Sequence, residues 1–267
     1  MSKLVEQAYC HKLGVRKEFV DPNPKAQAAA TTLLVARTKF YVVTHRSILS
    51  GSPLPKEGAA IVTGNHQRKA DSFKGLQHAI NTARRLITPV VKLSLIKEGA
   101  IESMAYLESI GAQTEALGEY NPINAFVLRH TGAVGILRDN PGLSFVRTVD
   151  KGLKDQRLMA IYLQPTRNDD CILRNLQPGA AYFAKRHPDV PVFPVAFSGP
   201  PEEADRAIFM EPFTYAQKVA EYGREISEGE LTIMIADSIV PGLPERSQID
   251  WATRWSEELL RLNSQKK

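Results

Sequence analysis

The chain has 267 residues, 43% of them hydrophobic and 24% charged, which excludes a disordered chain, a collagen-like chain and a coiled coil. Lys and Arg number 34 against 29 Asp and Glu, and the formal net charge of +5 favours anionic partners such as nucleic acid, phosphorylated metabolites or an acidic lipid surface. Two cysteines, Cys10 and Cys171, support neither a disulfide framework nor a cysteine-rich zinc site, and a reduced cytoplasmic setting is expected.

Residues 1–25 scatter their charges without an apolar core, so no signal peptide is expected. The segment 24–49 reads as a helix or helix pair ahead of a sheet. It serves either as a cap on the core or as an interfacial helix whose basic flank, Arg37 and Lys39, touches anionic lipid. Its weakly polar stretch 26–36 falls far short of the ~20 residues that span a bilayer, so no transmembrane helix is expected.

Short β-branched runs follow at 59–64, 88–95, 132–138, 158–164, 190–197, 206–213 and 231–240. Several are apolar at successive positions, as strands buried on both faces should be. Between the first two, Phe73, Leu76, Ile80, Ala83 and Ile87 stand three or four apart and predict an amphipathic helix over 71–87, with Asp71 or Ser72 as its N-cap. Leu143, Val146, Val149 and Leu153 predict another over 141–155, with Pro141 in its first turn. Segments 176–187 and 214–226 supply two more, and 249–267 closes the chain as an amphipathic helix with a basic end. This rhythm predicts an α/β fold: a mostly parallel or mixed central sheet flanked by helices, preceded by an N-terminal helical region. The expected division is a helical region over 1–50 and an α/β domain over 51–267.

The chemistry concentrates where the strand 59–64 runs into Asn65-His66-Gln67-Arg68-Lys69-Ala70-Asp71 and then a helix. Strand ends of this kind are where open α/β sheets place their sites. His66 and Asp71 are five positions apart and would not share a face of one helix at ~100° per residue. They meet only if the backbone turns through 67–70 and starts a helix at Asp71, where the helix dipole favours a carboxylate. Asp71 would then accept Nδ1–H of His66 and leave Nε2 free to take a proton. That is a catalytic triad without its serine, and the hydroxyl of a substrate would stand in for the nucleophile. Taken alone, a His and an Asp at this spacing also occur in ordinary loops.

The segment IVTGNHQRKAD resembles the first motif of the glycerophospholipid acyltransferase superfamily: a strand, Asn-His, four residues, Asp. Further segments resemble the family's other motifs in their order. SGSPLPKEGAAIVTGNH (50–66) is similar to the lead-in, and AVGILRD (133–139) to the second motif, with Arg138 in the place of its arginine. IYLQPTR (161–167) is similar to a degenerate third motif, and the segment 173–200 to the fourth, with Pro191 and Pro194 in place. The resemblance covers roughly residues 48–215.

What the resemblance implies is a glycerolphosphate acyltransferase-like fold and transfer of a fatty acyl group from acyl-CoA or acyl carrier protein to a lipid hydroxyl. The most direct form is 1-acylglycerol-3-phosphate to phosphatidic acid. His66 is then the general base and Asp71 its support, while Lys92, Arg138, Gln164, Thr166 and Arg167 bind the acceptor and its phosphate. The co-substrate is the acyl thioester, and no separate cofactor or metal is expected. The acceptor is an anionic lipid, reached by peripheral association with the cytoplasmic face of a membrane. Other acceptors, or a catalytically weak lipid-binding relative, are the alternatives. The chain departs from the family in having Gln164 for the motif's glutamate, Pro165 for its glycine, and Arg68 and Lys69 inside the first motif. Its segment 96–131 holds additional helical material that either shapes an acyl groove or is an insertion.

His11, His45, His78, His130 and His187 show no metal spacing, and His78 reads as a structural residue of the 71–87 helix. Glycine-rich nucleotide loops and a G-x-S-x-G elbow are lacking, and Trp251 and Trp255 read as packing anchors. No motif for nucleic-acid recognition accompanies the positive charge, so nucleic acid is not expected as a partner.

Overall fold

The structure, a computed structural model, describes residues 24–67, 71–92, 133–136, 142–165, 167–168, 170–199 and 205–264. The chain forms two compact units, one of Met1–Ala36 and Thr88–Val149, the other of Arg37–Ile87 and Asp150–Lys267. Their described residues form α/β structure whose strand pairs run mostly parallel.

The larger unit is built on strands β1 (Ile48–Gly51), β2 (Ala60–Gly64), β5 (Leu158–Ala160), β6 (Val192–Ser198) and β7 (Arg206–Phe209), in the order β1-β7-β6-β2-β5. β6 and β7 are the antiparallel pair. Every residue of β2 and β6 is buried, the pattern of strands covered on both faces. One face sets Ala60, Val62, Phe193, Val195, Phe197, Ala207 and Phe209 against Ala79 and Ala83 of α2 (Asp71–Ala83). The other is covered by α4 (Gly179–Arg186) and α6 (Glu228–Ile239), with α7 (Glu245–Ser264) packed on α6. A further helix, α5 (Tyr215–Tyr222), follows β7.

Pro194 lies inside β6, a central strand, where proline is ordinarily excluded. Its carbonyl accepts from Met210 N at 2.9 Å, and the reciprocal bond its own N–H would make falls just past the end of β7. Gly64 ends β2 so close to β6 that a Cβ there would stand 2.3 Å from the Val195 carbonyl oxygen. Glycine is therefore required at the point where the strand delivers the chain to Asn65.

The smaller unit contains a parallel pair, β3 (Ile87–Lys92) with β4 (Val134–Ile136), in the register Val90↔Val134 to Lys92↔Ile136. Two helices run through the division between the units: α1 (Pro24–Thr44), and α3 (Leu143–Lys154), which buries Val149 and Leu153.

Two expectations are corrected. The apolar run 231–240 is not a strand but most of helix α6, which starts at the Ser227 cap with Glu230 closing a capping box. A helix buried on nearly every side has the same unbroken apolar run as a buried strand, and only the cap tells them apart. The segment 24–49 is not helical throughout. The helix stops at Thr44, and Ile48 and Leu49 enter β1, in parallel register with Arg206 and Ala207 of β7.

Candidate active site

Asn65 follows β2 directly and is clamped to β6, its Nδ2 donating to Phe197 O and its Oδ1 accepting from Phe197 N, both at 2.8 Å. A side chain that replaces a rung of the ladder in this way ends the strand and fixes the next residue. That residue is His66. Its backbone is held twice more, the N–H donating to Gln164 Oε1 at 3.2 Å and the carbonyl accepting from Asn168 N at 2.8 Å.

The chain then reaches Asp71, the first residue of α2, fully buried. Asp71 Oδ2 lies 3.3 Å from His66 Nδ1 and accepts the Gln67 N–H at 2.7 Å. A carboxylate only accepts, so in the neutral ring this contact favours the tautomer with Nδ1–H donating and the lone pair on Nε2. The His66 side chain keeps 17% of its surface exposed, and Nε2 has no hydrogen-bond partner among the described residues. Tyr162 stacks on the ring with centroids 4.2 Å apart and an interplanar angle of 16°, and its hydroxyl pairs with Ser72 Oγ at 3.0 Å. Burial, and secondarily the Asp71 charge, hold the Tyr162 phenol above the ordinary tyrosine range, so it stays a neutral wall.

Behind Asp71 stands Lys74, one turn on and fully buried. Its Nζ is 3.3 Å from Asp71 Oδ1, 2.9 Å from Asp205 Oδ1 and 3.2 Å from the Ser198 carbonyl oxygen. Asp205 in turn accepts from the Ser47 hydroxyl. The sequence reading missed Lys74, Asp205, Asn65 and Tyr162. Lys74 had a legible signal: with Asp71 and His78 it falls on one face of the helix at the three-and-four spacing.

Gln164 is buried, and its amide is used in full: Oε1 takes the His66 N–H, and Nε2 donates to Ile172 O at 2.9 Å and Arg174 O at 3.3 Å. This loop is held from below by Glu258 of α7, which accepts from the N–H groups of Asn175 and Leu176, and by Arg261, which pairs with Glu258. Buried Cys171 lies on the loop, its thiol pushed up to about 11 chiefly by burial.

The structure thus brings His66, Asp71 and Gln164 together. Lys92 ends β3 in the other compact unit and its side chain lies outside the described residues, as do Arg138 and Thr166, the first-motif residues Arg68 and Lys69, and segment 96–131. Arg167 is exposed. His78 is buried, bonded through Nε2 to Ser52 O at 2.9 Å and stacked on Phe209, and burial lowers its pKa. Trp251 is buried and Trp255 is 40% exposed, and both indoles donate to the carboxylate of Asp237. Among the described residues no group of three or more His, Cys, Asp or Glu is placed to hold a metal ion.

No family model matches the chain, and no curated protein matches it.

Proposed function

We propose that this protein is an acyltransferase, moving a fatty acyl group from an acyl thioester to the hydroxyl of a glycerol-phosphate-type lipid, most directly 1-acylglycerol-3-phosphate to phosphatidic acid. The observation that carries the reading is the half-open imidazole of His66, whose Nδ1 is 3.3 Å from a buried carboxylate while Nε2 is left to accept a proton.

In the reaction Nε2 takes the proton of the acceptor hydroxyl as its oxygen attacks the thioester carbonyl. The C–O bond forms, the C–S bond breaks, and the departing thiolate recovers the proton from the imidazolium. Asp71 holds the ring and offsets the charge that develops on it. Acyl-CoA or acyl carrier protein is the co-substrate. Lys92, Arg138, Thr166 and Arg167 are assigned to the acceptor and its phosphate on the sequence resemblance alone, and Gln164 is placed to position the His66 backbone. On the same ground we read the fold as glycerolphosphate acyltransferase-like, with residues 51–267, together with Ile48–Ser50 of β1, as the acyl-transfer region. No helix among the described residues is long and apolar enough to cross a membrane. Peripheral association on the cytoplasmic face of a membrane is part of the same proposal.

The test is thioester-dependent transfer by purified protein to a panel of lysolipid acceptors, wild type against His66→Ala. Loss of general-base help predicts a fall in kcat/KM of ~10²–10⁴. Undiminished transfer by the variant would overturn the assigned base, and a preference for another acceptor would reassign the substrate.

A further inference from the structure

We propose that Lys74, held by Asp205, is a positioning residue for the His66–Asp71 pair: its buried ammonium fixes the Asp71 carboxylate so that Oδ2 faces the imidazole. The kinetic part rests on the acyl-transfer reading. The geometric part does not.

Lysine is rarely buried without partners, because an ammonium taken out of water is costly. Lys74 has no exposed surface: its ammonium donates to Asp205 Oδ1 and to the Ser198 carbonyl oxygen, and forms an ion pair with Asp71 Oδ1 at 3.3 Å. It also lies 5.5 Å over the Phe197 ring. These partners come from α2, from the end of β6 and from the residue before β7, so the ammonium has one place to be.

The position has consequences for Asp71. A carboxylate whose two oxygens have like surroundings can rotate about χ2 and exchange them. With Lys74 on Oδ1, the two oxygens have different partners, and the one turned to His66 is fixed. Asp205 completes the arrangement by charge. Two carboxylates and one ammonium leave this cluster one negative charge in excess, which an imidazolium on His66 would neutralise. Were Asp205 absent, Lys74 would lose the partner that holds its ammonium in place beside Asp71. Buried, preorganised charge of this kind acts more strongly than the same groups in water.

The experiment compares wild type, Asp205→Asn, and Lys74→Met/Asp205→Asn. The double variant is used because Lys74→Met alone leaves two buried carboxylates without their cation and endangers folding. The first readout is the ¹⁵N spectrum of the His66 ring, which reports the Nδ1–H share directly and is readable whether or not the chain transfers acyl groups. The expected result is a dominant Nδ1–H form in wild type, a smaller share in Asp205→Asn and the smallest in the folded double variant. The second readout is steady-state transfer, where kcat falls ~10–100-fold in the double variant with KM within about twofold, as misplacement of a catalytic group predicts. An unchanged ring spectrum in the folded double variant overturns the proposal. So does an equal loss in both variants, which would place the effect on Asp205 rather than Lys74, and so does a double variant that cannot fold, which would assign the pair to stability. A shifted ring spectrum in a chain that transfers no acyl group to any acceptor supports the clamp and overturns the acyl-transfer reading. Loss of transfer in His66→Ala with kcat of the double variant within about twofold of wild type does the reverse.

Discussion

Gln164 donates to two carbonyls and accepts from the N–H of His66, so it holds the catalytic candidate by its backbone. That geometry uses both chemical halves of an amide, and a carboxylate has only one of them. Gln164→Glu would restore the residue that the resembling motif has there, yet set a buried anion against the carbonyls of Ile172 and Arg174. The expected cost is about 1–3 kcal/mol of stability, from desolvation and two lost donors. Thermal melts would show it as a drop of roughly 2–10 °C for a chain of this size. An unchanged melting temperature would mean that the amide bonds are dispensable. His66 and Asp71 were legible in the sequence as a pair, just past the end of an apolar run where sites collect, and Gln164 only through the motif resemblance. The pairing of Lys74 with Asp205 was not, since 131 positions separate them and only the fold makes them neighbours.

Among the elements, α6 carries the sharpest test of local structure. Its start is a capping box: Ser227 Oγ accepts from Glu230 N at 3.2 Å, and Glu230 Oε2 accepts from Ser227 N at 2.9 Å. Ser227→Ala should cost about 1 kcal/mol, read as a lower urea midpoint. Glu230 also pairs with Arg224, and that pairing, followed by the Ser227 N–H, lowers its pKa from 4.5 to about 2. A carboxyl whose pKa is lower in the folded chain stabilises it above the unfolded value, and this contribution is lost as pH falls from about 4.5 towards 2. The stability difference between wild type and Glu230→Gln should therefore be present at pH 7 and shrink on acidification through that window. Denaturant titrations at several pH values measure it, and a pH-independent difference would contradict the assignment. With Glu230 partly exposed, added salt should also reduce the effect. The run 231–240 looked like a strand because Ile233, Ile235, Ala236 and Ile239 are all buried, and burial on every side erases the helical period.

For the whole molecule, the positive surplus of five charges is compatible with an anionic surface, and the larger unit exposes groups suited to one. Phe40 and Val43 are 71% and 66% exposed at the end of α1, on the same stretch as exposed Arg37 and Lys39. Apolar side chains flanked by basic ones bind acidic bilayers by insertion and by charge together. The protein should co-float with vesicles containing phosphatidylglycerol and not with pure phosphatidylcholine, and binding should weaken as salt screens the charges. Replacing Phe40 and Val43 by Ser should weaken binding by roughly tenfold or more, the scale set by apolar area withdrawn from the bilayer. Binding that ignores both salt and these substitutions would remove the surface from the proposal.

By itself the sequence determined the α/β alternation, the helix that begins at Asp71, and the candidate pair His66–Asp71. Those features are local: periodicity, turn chemistry and a strand end are written in neighbouring residues. Tertiary structure alone decided that β7 runs antiparallel to β6 and that Ile48 and Leu49 join the sheet through β7. It also decided that a lysine, an aspartate and a serine carbonyl from distant parts of the chain meet behind Asp71. Pairing and burial are properties of residues far apart in sequence, and no single stretch carries the electrostatic cost that makes a buried ammonium gather its partners.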